Sequence, residues 1–280
     1  VSETATIQSY LDKWLAVQPQ QRIALAFVEP RRYPGHVALA ALEQEVLSAA
    51  YGIREPQVAL AKLNWWADEL AGAAQSGGRH PLTQVLFAEE RAAQVSSECW
   101  LAPVLTAMAQ LEEGTAADFP AQLVAAGQLH GALARLETAW WFGAQASSER
   151  ATRIATLTHL LHALLRLEED AERDRLALPM ARLARYGLSR AQLRQSSVAR
   201  EQAIAEQLHD LLGAWREASR LAGPLSAFRG LEARHGQWLA ARARNQPQPL
   251  LALRQGQQRQ GLGVTWQAWQ AAREWRRRQG

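Results

Sequence analysis

Two histidines and a dense run of charges stand together in the middle of this chain. His159 and His162 are three residues apart, and Arg166-Leu167-Glu168-Glu169-Asp170-Ala171-Glu172-Arg173-Asp174-Arg175-Leu176-Ala177-Leu178-Pro179 follows one turn later. On a continuing helix Arg166 and Asp170 share a face, as do Glu169 and Arg173, so i, i+4 ion pairs are the plain structural reading. The setting weakens that reading, because the run closes a strongly apolar helix and precedes Leu178-Pro179, where the chain must turn away. His159 and His162 have the spacing to share a metal with a carboxylate from elsewhere, but no third ligand follows from spacing. Core or groove histidines are the expectation.

Aromatic pairs raise a second question. In Lys62-Leu63-Asn64-Trp65-Trp66-Ala67-Asp68-Glu69-Leu70 the adjacent rings point about 100° apart on a helix, so both cannot fill one part of a core. At least one is expected to line a cavity, a groove or a neighbouring helix, and Trp140-Trp141 poses the same problem. The segment 264–278 carries Trp266, Trp269 and Trp275 and ends in Arg276-Arg277-Arg278. Aromatics with arginine suit a membrane interface, yet arginine at a helix C-terminus is also favoured by the macrodipole. Docking onto the rest of the protein is expected, with peripheral membrane contact as the alternative.

The elements that must position these residues are helices. Alternating apolar and polar stretches are rare, β-branched residues are sparse, and Ala, Leu, Glu, Gln and Arg dominate. The clearest helix covers about 148–171, where Ile154, Leu157, Leu161, Leu164 and Leu165 recur at three-and-four spacing. Others are expected near 3–16, 36–51, 57–74, 81–94, 99–112, 118–144, 198–221, 225–243 and 264–278. The breaks carry turn chemistry at Pro30, Pro34-Gly35, Gly77-Gly78, Glu113-Gly114, Gly187, Gly223-Pro224 and Pro247-Gln248-Pro249. No period of twenty to fifty residues repeats, so an all-α bundle forming one domain over 1–280 is expected, with its core about 20–245.

Composition excludes several classes. Of 280 residues 48% are apolar and 21% charged, which rules out disorder, and the single cysteine, Cys99, rules out a disulfide scaffold. A lone thiol fits a reducing, cytoplasmic setting. Val1-Ser2-Glu3-Thr4 shows no basic stretch leading into an apolar one, so no signal peptide is expected, and no run approaches the ~18 apolar residues of a membrane span. The net charge is +4, with only Lys13 and Lys62 as lysines. Outside the C-terminal tail the arginines alternate with acids, so nucleic acid is not an expected partner.

Two blocks resemble the squalene/phytoene synthase family. The first is Ala38-Leu39-Ala40-Ala41-Leu42-Glu43-Gln44-Glu45-Val46 with Ile53-Arg54-Glu55-Pro56 and the paired-tryptophan segment; the second is Glu169 to Pro179 with Arg185-Tyr186-Gly187-Leu188-Ser189. Their order and separation agree with the family over about residues 20 to 230. The resemblance implies an isoprenoid-synthase-like helical bundle with a central apolar cavity, in which two prenyl diphosphates condense head to head. It also implies aspartate pairs on two facing helices, holding Mg²⁺ against the diphosphates while the cavity shelters a carbocation.

The chain departs from that pattern at the carboxylates. The first aspartate-rich motif should fall near Leu47-Ser48-Ala49-Ala50-Tyr51, where no acid stands, and the second pair aligns with Arg166 and Asp170. The Gln and Asn that precede it in the family align with His159 and His162, and the Tyr before Leu178-Pro179 is Ala177. A cation in a ligand position repels Mg²⁺. The sequence resembles still more the divergent branch that includes mitochondrial complex I assembly factors. The expected function is thus a catalytically degenerate family member, needing no cofactor and binding an isoprenoid diphosphate or a protein partner. Its ligand-binding candidates are Lys62, Trp65, Trp66, Arg166, Arg173 and Arg175. The alternative is an active prenyltransferase whose Mg²⁺ is held by Glu43, Glu45, Glu169 and Asp170, at least three of which must then converge.

Overall fold

The computed structural model describes residues 3–111, 114–259 and 261–278. The N-terminal Val1 and Ser2, and Glu113 of one expected break, lie outside the described residues. From the N-terminus the helices are α1 (Glu3–Val17), α2 (Gln21–Ala24), α3 (Pro34–Leu47), α4 (Pro56–Ser76) and α5 (Pro81–Phe87). Then come α6 (Ser97–Gln110), α7 (Phe119–Phe142), α8 (Glu149–Leu165) and α9 (Leu167–Glu172). The remainder supplies α10 (Met180–Arg185), α11 (Arg190–Leu193), α12 (Val198–Ala218), α13 (Ala227–Ala243), α14 (Pro249–Gln258) and α15 (Leu262–Arg276). The described residues form no strand.

Local chemistry explains most boundaries. Proline takes an opening position in α3, α4, α5 and α14, where its missing N–H costs nothing. The side chains of Ser96, Asp118, Ser197 and Ser226 accept from backbone N–H groups at the starts of α6, α7, α12 and α13. Gly77, at φ 83°, ends α4 in the left-handed conformation. Four expectations need correction. The helix expected over 81–94 ends at Phe87, and Glu90–Gln94 forms a separate 3-10 turn. The helix expected over 36–51 gives way after Leu47 to a π-helical turn, Ser48–Gly52. The helix of 148–171 breaks at Arg166 (φ −98°, ψ 12°), separating α8 from α9. Helix α14 forms where the prolines suggested only a break, because Pro249 opens it and Leu250 and Leu253 bury.

Helices α7 and α8 pack along each other at the centre. An apolar cluster built from α1, α3 to α7 and α15 lies to one side, and one built chiefly from α8, α12, α13 and α14 lies to the other. Because α7 is surrounded, both members of its tryptophan pair are buried: Trp140 meets Trp100, and Trp141 meets His36, Phe228 and Trp275. On α4 only one ring is inside. Trp66 packs on His80 of the α4–α5 connection, whereas Trp65 is 42% exposed. Next to them the buried Glu69 accepts from the backbone N–H groups of Arg79 and His80 and from Thr83 Oγ1, which ties α5 to α4.

The last helix is docked, as expected, but by one face. Trp275 is fully buried against Tyr33, His36 and Trp141, while Trp266 is 57% exposed. Trp275→Ala is expected to lower unfolding free energy by about 3–5 kcal/mol, and Trp266→Ala by no more than about 0.5 kcal/mol. Urea denaturation of the two variants checks the contrast.

Candidate functional site

A cavity of about 220 Å³ lies between the two apolar clusters. Helix α3 and its π turn contribute Glu43, Gln44, Leu47, Ser48, Tyr51 and Gly52, and α8 faces them with Ala155, Thr158, His159, His162 and Arg166. His130 enters from α7, Arg229 and Glu232 from α13, Val17 and Gln18 from the end of α1, and Arg173 from the loop after α9. The π turn follows from sequence: Ser48-Ala49-Ala50-Tyr51-Gly52 holds small residues that tolerate a widened turn.

The floor is a buried charge cluster. Arg229, 4% exposed, donates from Nη2 to both oxygens of Glu43 (2.9 and 3.0 Å), from Nε to Glu137 (2.9 Å) and from Nη1 to Glu232 (2.7 Å). Ser226 begins α13, accepts from the Arg229 N–H and donates to Glu137. Three carboxylates around one guanidinium leave negative charge in a low-dielectric site. Burial therefore raises the Glu43 carboxyl and lifts Glu232 to about 7, although Arg229 pulls both the other way. Burial alone would weaken the charge on Arg229, but Glu137, Glu232 and Glu43 hold its pKa well above the usual value.

The upper walls are aromatic and uncharged. His130 and His159 stack at 4.0 Å, and His159 stacks on Tyr51 at 4.9 Å. The Tyr51 hydroxyl donates to Gln110 at 2.8 Å. Burial first, and then the charge of Arg166, pulls His159 and His162 down to about 3. His130 also falls well below its ordinary value, through burial and the neighbouring His159. At neutral pH these imidazoles carry no charge. Above Arg229, positive charge returns at the rim, where Arg166 sits 3.6 Å from Asp170 and Arg173 is exposed.

The structure brings together some of the predicted residues and disperses others. Glu43, Arg166 and Arg173 line the cavity, as do His159 and His162. Glu45 points away from Glu43 and is held by Lys13 (3.2 Å) and Lys62 (3.1 Å), so Lys62 is engaged in that pair. Trp65 and Trp66 pack at α5, away from the cavity lining. Arg175 reaches across the mouth and donates to the carbonyls of Tyr51 and, at 3.2 Å, Ala50. Glu169 is exposed, and Asp170 is buried beside Arg166, its carboxyl raised by that burial. Among the described residues no three of His, Cys, Asp or Glu are grouped as a metal site. Sequence reasoning missed Tyr51, His130, Arg229 and Glu232. Arg229 and Glu232 at i, i+3 resemble any surface ion pair, and only their burial distinguishes them.

Beyond Glu43 the apolar interior is nearly full. The void among Leu39, Val46, Leu70, Trp100, Val104 and Leu133 amounts to about 10 Å³, and Glu43 borders both it and the main cavity.

The model of the squalene/phytoene synthase family matches residues 21–270. The chain belongs to this family. Among solved structures, squalene synthase HpnC from Alicyclobacillus acidocaldarius superposes with a TM-score of 0.65 at 16% identity, over 88% of this chain and 98% of the other. A dehydrosqualene synthase in complex with ligand gives 0.59 at 12% identity, over 97% of this chain and 98% of that one. Identities this low establish the shared all-α isoprenoid synthase fold. No curated protein matches the chain in sequence. The two helices that the family places opposite each other do face across the cavity here, with Ser48 and Tyr51 on one side and His159, His162 and Arg166 on the other.

Two measurements probe this family member's cavity. Arg229→Met leaves three carboxylates uncompensated and is expected to cost about 3–5 kcal/mol in urea denaturation. The histidines set an acid limb: the half-buried imidazoles of His159 and His162, near 3, refuse protons that the unfolded chain accepts below its ordinary 6.5. Their contribution is complete above that value and is lost as pH falls towards 3. Glu232 acts in the opposite sense, since it is protonated when folded and ionised when unfolded between 4.5 and about 7, so stability falls as pH rises through that window. In thermal melts, the double variant His159→Gln/His162→Gln is expected to flatten the acid limb, and Glu232→Gln to remove the decline towards neutral pH.

Proposed function

We propose that this squalene/phytoene synthase family member binds the diphosphate of a single isoprenoid at the cavity rim and does not condense it. The observation that carries this reading is the position of Arg166 and Arg173, which line the cavity where the family resemblance places metal-held diphosphate. Guanidinium groups bind such an anion directly, as planar forks with fixed donors. Neutral His159 and His162 beside them offer hydrogen bonds without repelling a negatively charged group or adding a competing anion.

The donors present do not fit Mg²⁺. Glu43 is saturated by Arg229, Glu45 by two lysines, Glu169 is exposed, and Asp170 lies next to Arg166. Hard divalent cations require several converging oxygens, and a nearby guanidinium opposes them. The small void beside Glu43 supports a single ligand with its chain directed out of the mouth. The condensing alternative draws on the synthases that share the fold, and the protein-partner version on Val58 and Trp65, exposed two turns apart on α4.

Calorimetry with farnesyl diphosphate and with inorganic pyrophosphate, both without Mg²⁺, is expected to show binding. Arg166→Gln/Arg173→Gln is expected to weaken it by about a hundredfold, since two charge-assisted contacts of about 1.5 kcal/mol each are removed. A C30 or C40 product with pyrophosphate release on adding Mg²⁺ would establish the condensing alternative. Absence of binding to either ligand would favour the protein partner.

A further inference from the structure

Helix α15 has two unlike faces. Val264, Ala268, Ala271, Ala272 and Trp275 are buried, and α15 packs against α13 and α2. At 100° per residue the opposite stripe reads Leu262, Trp266, Trp269, Arg273, Arg277. The solvent face of a docked helix is ordinarily polar, yet Leu262 is 90% exposed and Trp266 57%. The stripe also changes along its length, aromatic and apolar at its start and basic at its end. Glu274, the acid of this helix, is already held by Arg150 and Arg234, which leaves the exposed Arg273 and Arg277 without a carboxylate in contact among the described residues.

A second segment extends the same surface. Arg276 donates to the Phe27 carbonyl at 2.9 Å, Tyr33 meets Trp275 edge-on at 5.3 Å, and the exposed Arg32 lies over Tyr33 at 5.4 Å. The connection between α2 and α3 thereby adds its arginine to the basic end of α15. Charge from two remote parts of the sequence thus stands at the C-terminal end of α15.

We infer that this face docks on a lipid bilayer bearing anionic headgroups, with Leu262, Trp266 and Trp269 at the headgroup boundary and Arg32, Arg273 and Arg277 on the phosphates. Indole rings favour that boundary, where an apolar body and a polar N–H are both satisfied. Arginine stems lie along apolar surface while the guanidinium reaches the phosphate. Contact is peripheral, since no helix among the described residues is long and apolar enough to cross a membrane. Single-stranded nucleic acid is the less suitable partner: Trp266 and Trp269 stack on each other at 4.6 Å and Arg273 covers Trp269 at 5.1 Å, so Trp269 and one face of Trp266 are not open to stacking bases. The inference is independent of what the cavity binds.

Flotation of the full chain with vesicles tests it, using phosphatidylcholine alone and phosphatidylcholine mixed with phosphatidylglycerol. Binding is expected only to the mixed vesicles, weakening as salt is raised, with tryptophan emission moving to shorter wavelength. Each arginine near an anionic surface contributes about fivefold, so Arg273→Gln/Arg277→Gln is expected to lower affinity about twenty-fivefold. Trp266→Ser is expected to lower it as well, and thermal midpoints should stay unchanged because these side chains are exposed. Equal binding to both vesicle types, no binding to either, or an arginine variant that floats like the parent overturns the inference. Retention on a single-stranded oligonucleotide without flotation would replace the membrane by nucleic acid.

Discussion

The rest of the structure depends on Arg229. Its guanidinium joins Glu43 of α3, Glu137 of α7 and Glu232 of its own helix, and the Ser226 hydroxyl that starts α13 binds one of the same carboxylates. Both apolar clusters therefore meet at one cation. A buried ion cluster is weak evidence for stability in itself, because desolvation offsets much of the attraction. Its value here is positional: the members satisfy one another only when three helices keep a single arrangement, and that arrangement forms the cavity floor.

Charge is layered above this floor. Arg229 and its carboxyl partners lie deepest, uncharged imidazoles and Tyr51 line the middle, and Arg166 and Arg173 occupy the rim. An anion entering from solvent meets favourable potential at the rim and opposing potential below, so a compact negatively charged group has its best position near Arg166 and Arg173. The 10 Å³ void past Glu43 adds a steric limit to the electrostatic one.

Much of the fold was legible in the sequence. Three-and-four spacing located the long helices, and proline and glycine located their ends. The positions that the resemblance aligns with the family's motifs, around Ser48 and Tyr51 and at His159, His162 and Arg166, line one cavity. What spacing failed to reveal has a common cause. Glu45 and Glu43 are near in sequence yet turn to different partners, and Arg229 looks like any helix-surface arginine until tertiary contacts bury it. The paired tryptophans drew attention by their bulk, but bulk marks a packing contact against α5 as readily as a binding wall. The break at Arg166 was hidden because the residues on both sides favour helix.

The π turn at Ser48–Gly52 and the guanidinium of Arg175 form one device. Widening the turn directs the carbonyls of Ala50 and Tyr51 towards the mouth, and Arg175, coming from the loop after α9, accepts the role of their donor. One edge of the opening is thus joined to the other by hydrogen bonds from a side chain to a backbone, beside the stacking of Tyr51 on His159. Such a latch is local: one guanidinium from the loop after α9 serves two adjacent carbonyls of the π turn, so the backbone of that turn is held by a residue more than a hundred positions away.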